Sequence, residues 1–530
     1  MKKNYLLFEK KISLKLAVFI ALFGFLTSSA QVTTNGGSGL APTYPDLVTA
    51  ITALNAATIT SPVVITLAGN ETAPLGGFSI TAQGSVTNTI TIEGVASTIT
   101  APTPQASGVL TDAVFKLVGA DWVTIQGFTM LENASNTTVA AGTNNMTEWG
   151  VALLYATTTN GAQNNTIRNN TIDLDRTYQN TSGIYSNSTH AATNITTAAS
   201  ATTTTGGNSG LKIYSNTITD VNLGIVVIGP TAIADQNVGI DIGGTSLTTA
   251  NTISNFGTTG TFSGFANVSG TVNGILVRNS NGTNISFNTI TSSVGGVTSG
   301  TLNGIQVAAS STVPTGLTFT NTINDNTISL RSGTNSPMNG ITYPSGSASA
   351  TSTLNINNNN FNTFGHTIAA TSAIIFITTA STNQFTTINN NTFTNISVNT
   401  SGSVTFISQS FTAPATGSKE VNNNAIVTGF TKSVAGGTVV FVTDNGSTAS
   451  GAVSNCINNN FSNVTLAGAT AVTGINYTDG GTAPTRTVTG NILNNITTGA
   501  AAMNLMNFTY WNGVSSLSNN TILILMVKVQ

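Results

Sequence analysis

Charge is what this 530-residue sequence most lacks: Lys, Arg, Asp and Glu together supply 6% of its positions, against roughly 25% in an average globular domain. A formal net charge of -2 with no basic run leaves nothing to neutralise a phosphate backbone, which excludes nucleic acid as a partner. One cysteine and two histidines exclude a disulfide scaffold and a Cys/His zinc site, so no metal centre is expected. No apolar run reaches the roughly 18 residues that a membrane-spanning helix needs, so none is expected in the mature chain. Against these absences stand 53 glycines and a hydrophobic content of 39%, too apolar for a disordered polar tail. Thr, Asn and Ser provide the polarity, and packing alone must provide the stability.

Residues 1–30 have the layout of an export signal. Lys2, Lys3, Lys10, Lys11 and Lys15 precede the apolar run Leu16 to Leu26, and Ser28-Ser29-Ala30 offers a cleavage site before Gln31. The expected location is therefore secreted, extracellular or at the cell surface.

From residue 165 onward one phrase recurs about every 35 residues: an aliphatic residue, two positions, Asn, a residue that is usually Thr or Asn, then Ile or Phe. Ile167 to Ile172, Ile285 to Ile290 and Ile323 to Ile328 are clear copies, and weaker ones end at Ile253 and Ile492. Between phrases lie short β-branched stretches often opened by glycine, such as Gly274-Ile275-Leu276-Val277 and Gly304-Ile305-Gln306-Val307. Each repeat offers about three short strands and no amphipathic helix. Stacked, such repeats make an all-β parallel solenoid of about eleven or more coils.

Two columns carry the architecture. Two residues before the closing Ile or Phe stand Asn170, Asn216, Asn251, Asn288, Asn326, Asn359, Asn391, Asn424, Asn459 and Asn520, with Gly490 the exception. Asn and Gly tolerate a left-handed backbone, so this slot reads as a one-residue bend whose amides stack in a ladder. Five residues before the close, Ile167, Ile213, Ile285, Ile323, Ile356, Ile388, Val421, Cys456 and Leu517 read as core, with Thr248 and Thr487 in the weak copies. Cys456 is thus a small buried hydrophobe and not a nucleophile.

Residues 31–130 differ in texture and read as the N-terminal cap and first coils, with 131–530 as the repeats. Thr43-Tyr44-Pro45-Asp46 precedes Leu47, Ile51 and Leu54, apolar positions at helical spacing behind a Thr-x-x-Asp pattern, so a short capping helix is expected there. The apolar end, Ile522 to Gln530, reads as truncation of a longer chain, the alternative being a strand that caps the core.

The Gly-Ile strand followed by an Ile-x-x-Asn-Thr-Ile bend, as in Asn273-Gly274-Ile275 and Ile285 to Ile290, resembles secreted right-handed parallel β-helix proteins of the pectin-lyase-like superfamily. The resemblance spans about residues 60–525 and implies that fold. More narrowly, the Thr/Asn-rich texture and the start at Gln31 are similar to large bacterial surface proteins of the type IX secretion route, although no sorting domain is visible. The superfamily's lyases and hydrolases imply carboxylates on an outer face, with Ca²⁺ or an acid/base pair.

Such carboxylates are scarce. The outward positions of the Gly-Ile strands read Leu276, Gln306, Thr342, Phe376, Val440 and Asn476, none of them acidic. The charges after residue 300 fall on separate coils. Charge is densest at Asp173-Leu174-Asp175-Arg176, where Asp173 and Asp175 project from one strand and could share a hard cation such as Ca²⁺ or contact a sugar. Arg176 offers the ordinary alternative of neutralising them. Glu148-Trp149 and Asp121-Trp122 pair a carboxylate with an aromatic, as sugar sites do, although Trp is more often core. No catalytic residue is assigned, and no cofactor beyond that cation. The expected function is a non-catalytic extracellular repeat protein, adhesive or surface-structural, whose partners are polysaccharide or cell-surface components. The alternative is a polysaccharide lyase or glycoside hydrolase acting on the outer face, which requires Asp173, Asp175, Glu148, Asp121 or Asp220 to converge. Ice binding requires regular Thr-x-Thr columns on a flat face, and the sequence shows only scattered cases such as Thr89-Ile90-Thr91.

Overall fold

The computed structural model describes residues 31–526 except 104–110, 141, 188–200, 259–269, 295–299, 309–317, 345–348, 479–482, 500 and 510. The export segment 1–30, His190 and the last four residues lie outside the described residues.

The chain is an all-β parallel solenoid. One 13-stranded sheet contains the Gly-Ile strands, and a 25-stranded sheet contains the strands on either side of the asparagine bend. Side chains alternate in and out as a pleated strand requires: in Thr217–Thr219 the central Ile218 is buried between two outward threonines. Inward Ile, Val, Leu and Phe stack coil upon coil in one continuous core. Its entry is closed by antiparallel pairing of Gln31–Thr34 with Val63–Ala68 and by helix α1, Leu47–Ala56, which buries Leu47, Ala50, Ile51 and Leu54. The cap differs from the expected pattern. Asp46 itself is the N-cap, accepting the Thr49 N–H at 2.7 Å, and Glu71 reaches from the next turn to the Leu47 N–H, placing two carboxylates at the positive end of the helix.

The asparagine column is a bonded ladder. Asn326 shows the unit: its Oδ1 accepts both the backbone N–H (2.9 Å) and the Nδ2 (3.0 Å) of Asn288, while its own Nδ2 donates back to the Ile285 carbonyl (2.9 Å) and forward to Asn359 Oδ1 (3.0 Å). Three readings of the repeat shift by this geometry. The left-handed residue is not the ladder asparagine but the one before it, with φ of +55° at Asn169, +58° at Asn358 and +69° at Gly490. The bend thus releases the next side chain inward, where it is buried and fully bonded. Gly490 is therefore the bend of its coil, and Asn491 is the ladder member, bonded to Asn459 and Asn520; Val488, not Thr487, pairs with Cys456 in the core. In the coil ending at Ile253 the core slot belongs to Ile242, which pairs with Ile213 and Ile285. An insertion containing the 3₁₀ turn Leu247–Thr249 displaces it from the regular spacing, which is why Thr248 was in frame.

Glycine opens the Gly-Ile strands because there is no room for a side chain. A Cβ on Gly274 would lie 2.5 Å from Ile290 Cγ2 and 2.8 Å from the Gly304 carbonyl. In three consecutive coils the same slot holds Phe376, Phe406 and Phe441, whose rings lie stacked or tilted against one another and against Phe461. Phe376 is consequently core, not outward as read above. Thr378, in register with Thr342 and Ser408, takes the outward place.

Replacing Asn359 by Ala leaves the Asn326 N–H and one Nδ2 hydrogen of Asn326 without an acceptor, removes the donor to the Ile323 carbonyl and takes away one of the two donors to Asn391 Oδ1, and is expected to cost about 3 kcal/mol in denaturant titration. Phe287 occupies the left-handed slot at φ +64°, so Phe287→Asn is expected to gain about 1 kcal/mol in the same titration.

Candidate functional site

The acidic residues singled out from sequence fall in three places and do not share a cleft. Asp173 lies at the end of strand Thr171–Asp173, its carboxyl raised by partial burial and then by nearby Asp220. Arg176 pairs with Asp220 (Nε to Oδ1, 3.5 Å) and donates to the Gly257 carbonyl at 3.1 Å. Asp175 turns away into its own loop, where Oδ1 accepts the Thr177 N–H (2.8 Å) and hydroxyl (2.6 Å). Asp121 sits at another corner and accepts the Gln163 N–H at 2.7 Å, beside Trp122, which adopts a left-handed φ of +56°.

Glu148 and Trp149 belong to the third place, a buried cluster that the sequence reading saw only in part. Trp149 is fully buried and stacks on Tyr185 of the next coil, with ring centroids 4.6 Å apart and an interplanar angle of 6°. Glu148 has no exposure; its Oε1 accepts the Tyr178 hydroxyl at 2.5 Å and its Oε2 the Asp112 N–H at 2.8 Å. Glu132 accepts the N–H groups of Asn133 and Thr147 (both 2.8 Å), the Thr147 hydroxyl (3.0 Å) and Asn136 Nδ2 (2.7 Å). Lys116 donates to the Thr111 carbonyl at 2.8 Å.

Burial governs the protonation of this cluster. Asp112 is pushed up to about 6, by desolvation first and Glu132 after it, with Lys116 pulling the other way. Glu148 is held well above its ordinary value by complete burial, which the Tyr178 hydrogen bond partly offsets. Lys116 is lowered by its own burial. Chemically, the cluster ties the loops 132–148 and 175–181 to the flank of the Gly-Ile sheet. Asp112, Glu132 and Lys116 escaped sequence reasoning because they are far apart in the chain. The available signal was position: Asp112 and Glu148 each precede a Gly-Ile-sheet strand and Glu132 follows a neighbouring one, so stacking brings them together.

The charges after residue 300 do not all fall on separate coils, contrary to the expectation from sequence. Lys419 and Asp444 form a buried ion pair at 2.9 Å, with the ammonium 4.7 Å from the centre of the Phe411 ring. His366 is buried, with Nε2 against the Ser336 carbonyl at 2.8 Å. Cys456 lies in the core, its thiol pushed up to about 12 by desolvation.

One open feature of the C-terminal coils is a shallow groove of about 400 Å³. Its floor is Ser397, Thr431 and Thr465, one residue from each of three paired strands, and its wall includes Asn395, Asn463 and Asn495. It presents amides and hydroxyls without a charged side chain.

No protein-family model and no curated protein matches the chain. Among solved structures the chain is similar to the A-module of Azotobacter vinelandii mannuronan C-5 epimerase AlgE6, at 10% identity over 89% of this chain and 94% of that one, with a TM-score of 0.26. A superposition that loose carries no argument about activity.

Acids whose folded pKa is raised bind protons more tightly folded than unfolded, so their cost is fully present above the folded pKa and is relieved as pH falls through it. For Asp112 that window runs from about 6 down to its ordinary 3.8. Lowering pH from about 7 to about 5 is therefore expected to raise the thermal unfolding midpoint, and Asp112→Asn to flatten that rise.

Proposed function

We propose that the chain is an exported, non-catalytic β-solenoid rod of the cell surface or extracellular matrix that adheres to neutral polysaccharide. The observation that carries this reading is the open groove over Ser397, Thr431 and Thr465. Parallel stacking repeats its hydrogen-bonding groups about every 4.8 Å along the rod, which suits an extended uncharged polymer lying along the axis. Desolvating uncharged hydroxyls and amides costs far less than desolvating ions, and each finds a matching partner on a sugar. The export signal at residues 1–30 supports the location. The engagement of Glu148, Asp175 and Asp220 in internal bonds supports structural roles for these acids in place of catalytic ones.

The test is retardation of the purified chain in gels carrying neutral or acidic polysaccharides, with and without Ca²⁺, alongside an assay for new sugar chain ends. Retardation by neutral polymers without new ends is expected, weakened by Thr431→Arg with Thr465→Arg. New chain ends that disappear in Asp173→Asn or Asp220→Asn would instead establish the lyase or hydrolase reading.

A further inference from the structure

The residue after each ladder asparagine faces out of the solenoid. Strand pairing stacks Thr217, Thr252, Thr289 and Thr327 in one straight column on consecutive coils. Two residues on, in the same strands and register, Thr219, Ser254, Thr291 and Ser329 form a second. The isoleucines between them are all buried, so both columns lie on one face. Thr217, Thr252, Thr289 and Thr291 are exposed and the others half-buried. Of these eight, toward the described residues, only Thr219 has a protein partner for its hydroxyl, Asp220 at 3.4 Å.

Over these four coils the two columns form an uncharged mesh of hydroxyl groups, with Asp173 next in register beyond Thr219. Its repeat is about 4.8 Å along the rod and, at two residues per step, about 6.6 Å along the strands. A single exposed hydroxyl gains nothing by bonding water, since it exchanges one water partner for another. An array whose positions are fixed beforehand is different, because it meets an ordered layer without a further loss of freedom. Threonine suits such an array: its branched Cβ restricts χ1, so each hydroxyl is held in a narrow range of directions. The ladder immediately beneath locks the spacing between coils, with Asn216, Asn251, Asn288 and Asn326 each one residue before a column member.

A flexible polymer would follow one column at most. A face that repeats in two directions, without charge and without an aromatic ring, is matched by a solid whose surface repeats in two directions and consists of hydrogen-bonding oxygens. The geometry points to solid water, a lattice of hydrogen-bonding oxygens, as the ligand: the post-bend face from Thr217 to Ser329 is an ice-binding surface. It lies on a different sheet from the groove and does not depend on the polysaccharide reading.

The test uses the full purified chain and a slowly grown ice hemisphere, with inhibition of ice recrystallisation as a second readout. The chain is expected to be incorporated into the ice and to keep crystals small. Thr252→Lys with Thr289→Lys is expected to lose both effects, and Thr252→Val with Thr289→Val, which keeps the shape but removes two hydroxyls, is expected to weaken them. Thr405→Lys, on the outer face of the Gly-Ile sheet, is expected to retain both, and circular dichroism establishes that each variant is folded. Exclusion of the unaltered chain from ice overturns the inference, as does undiminished activity in the folded lysine variant. Adsorption to crystalline cellulose without incorporation into ice overturns it as well, and would assign the face to a carbohydrate solid.

Discussion

The asparagine ladder is the constraint on which the remainder of the solenoid depends. In the regular coils the inward amide uses both donors and both lone pairs, two bonds toward the preceding coil's backbone and two along the ladder, as Asn391 does with Asn359, Ile356 and Asn424. A buried amide with any of these unmade would cost more than the bond contributes. The arrangement is therefore all-or-none at each coil. It fixes the register at the bend, and the register at the bend fixes which residues face the core, because a slip of one residue would turn every side chain to the opposite face.

Between the ladder and the Gly-Ile sheet the interior is filled by side chains whose size is matched across the coil. Where the Gly-Ile strand approaches closely, as at Gly274 against Ile290, nothing larger than hydrogen fits. Where phenylalanine replaces that glycine, at Phe376, Phe406 and Phe441, neighbouring positions supply further rings, among them Phe361, Phe393 and Phe461. The two halves thus reach dense packing by different means, with the same backbone path and the same ladder.

Polar chemistry is placed according to the same geometry. Carboxylates at strand ends in neighbouring coils, Asp112, Glu132 and Glu148, come together beneath loops, and burial raises their affinity for protons. Lys419 and Asp444, from two strands of one coil, are buried together and neutralise each other. The surface that remains carries few charges, among them Arg168, Lys212 and Arg331, and much of it is periodic. Its hydroxyl columns and its groove are the outer side of the register that the ladder sets on the inner side.

Much of this was legible in the residues. Period-two alternation, the recurring Ile-x-x-Asn-Thr-Ile phrase and the capping helix led to a parallel solenoid with ten of the ladder asparagines in place, because local pattern and burial are linked by strand geometry. The candidate site was legible only in Glu148 and Trp149, since nothing local marks Asp112 or Lys116 as their neighbours. The frame failed wherever spacing departed from the regular repeat: at Gly490, at the insertion before Asn251, and at Phe376, where the glycine that anchors the reading is missing. The sequence by itself determined composition, periodicity and the in-or-out choice within each strand, all of which are set by contacts a few residues apart. Only the tertiary structure decided which acids share a buried cluster and that the outward threonines form straight columns. Both depend on how a coil of varying length comes to rest upon the one before it, and that alignment is set by hydrogen bonds between residues more than thirty positions apart.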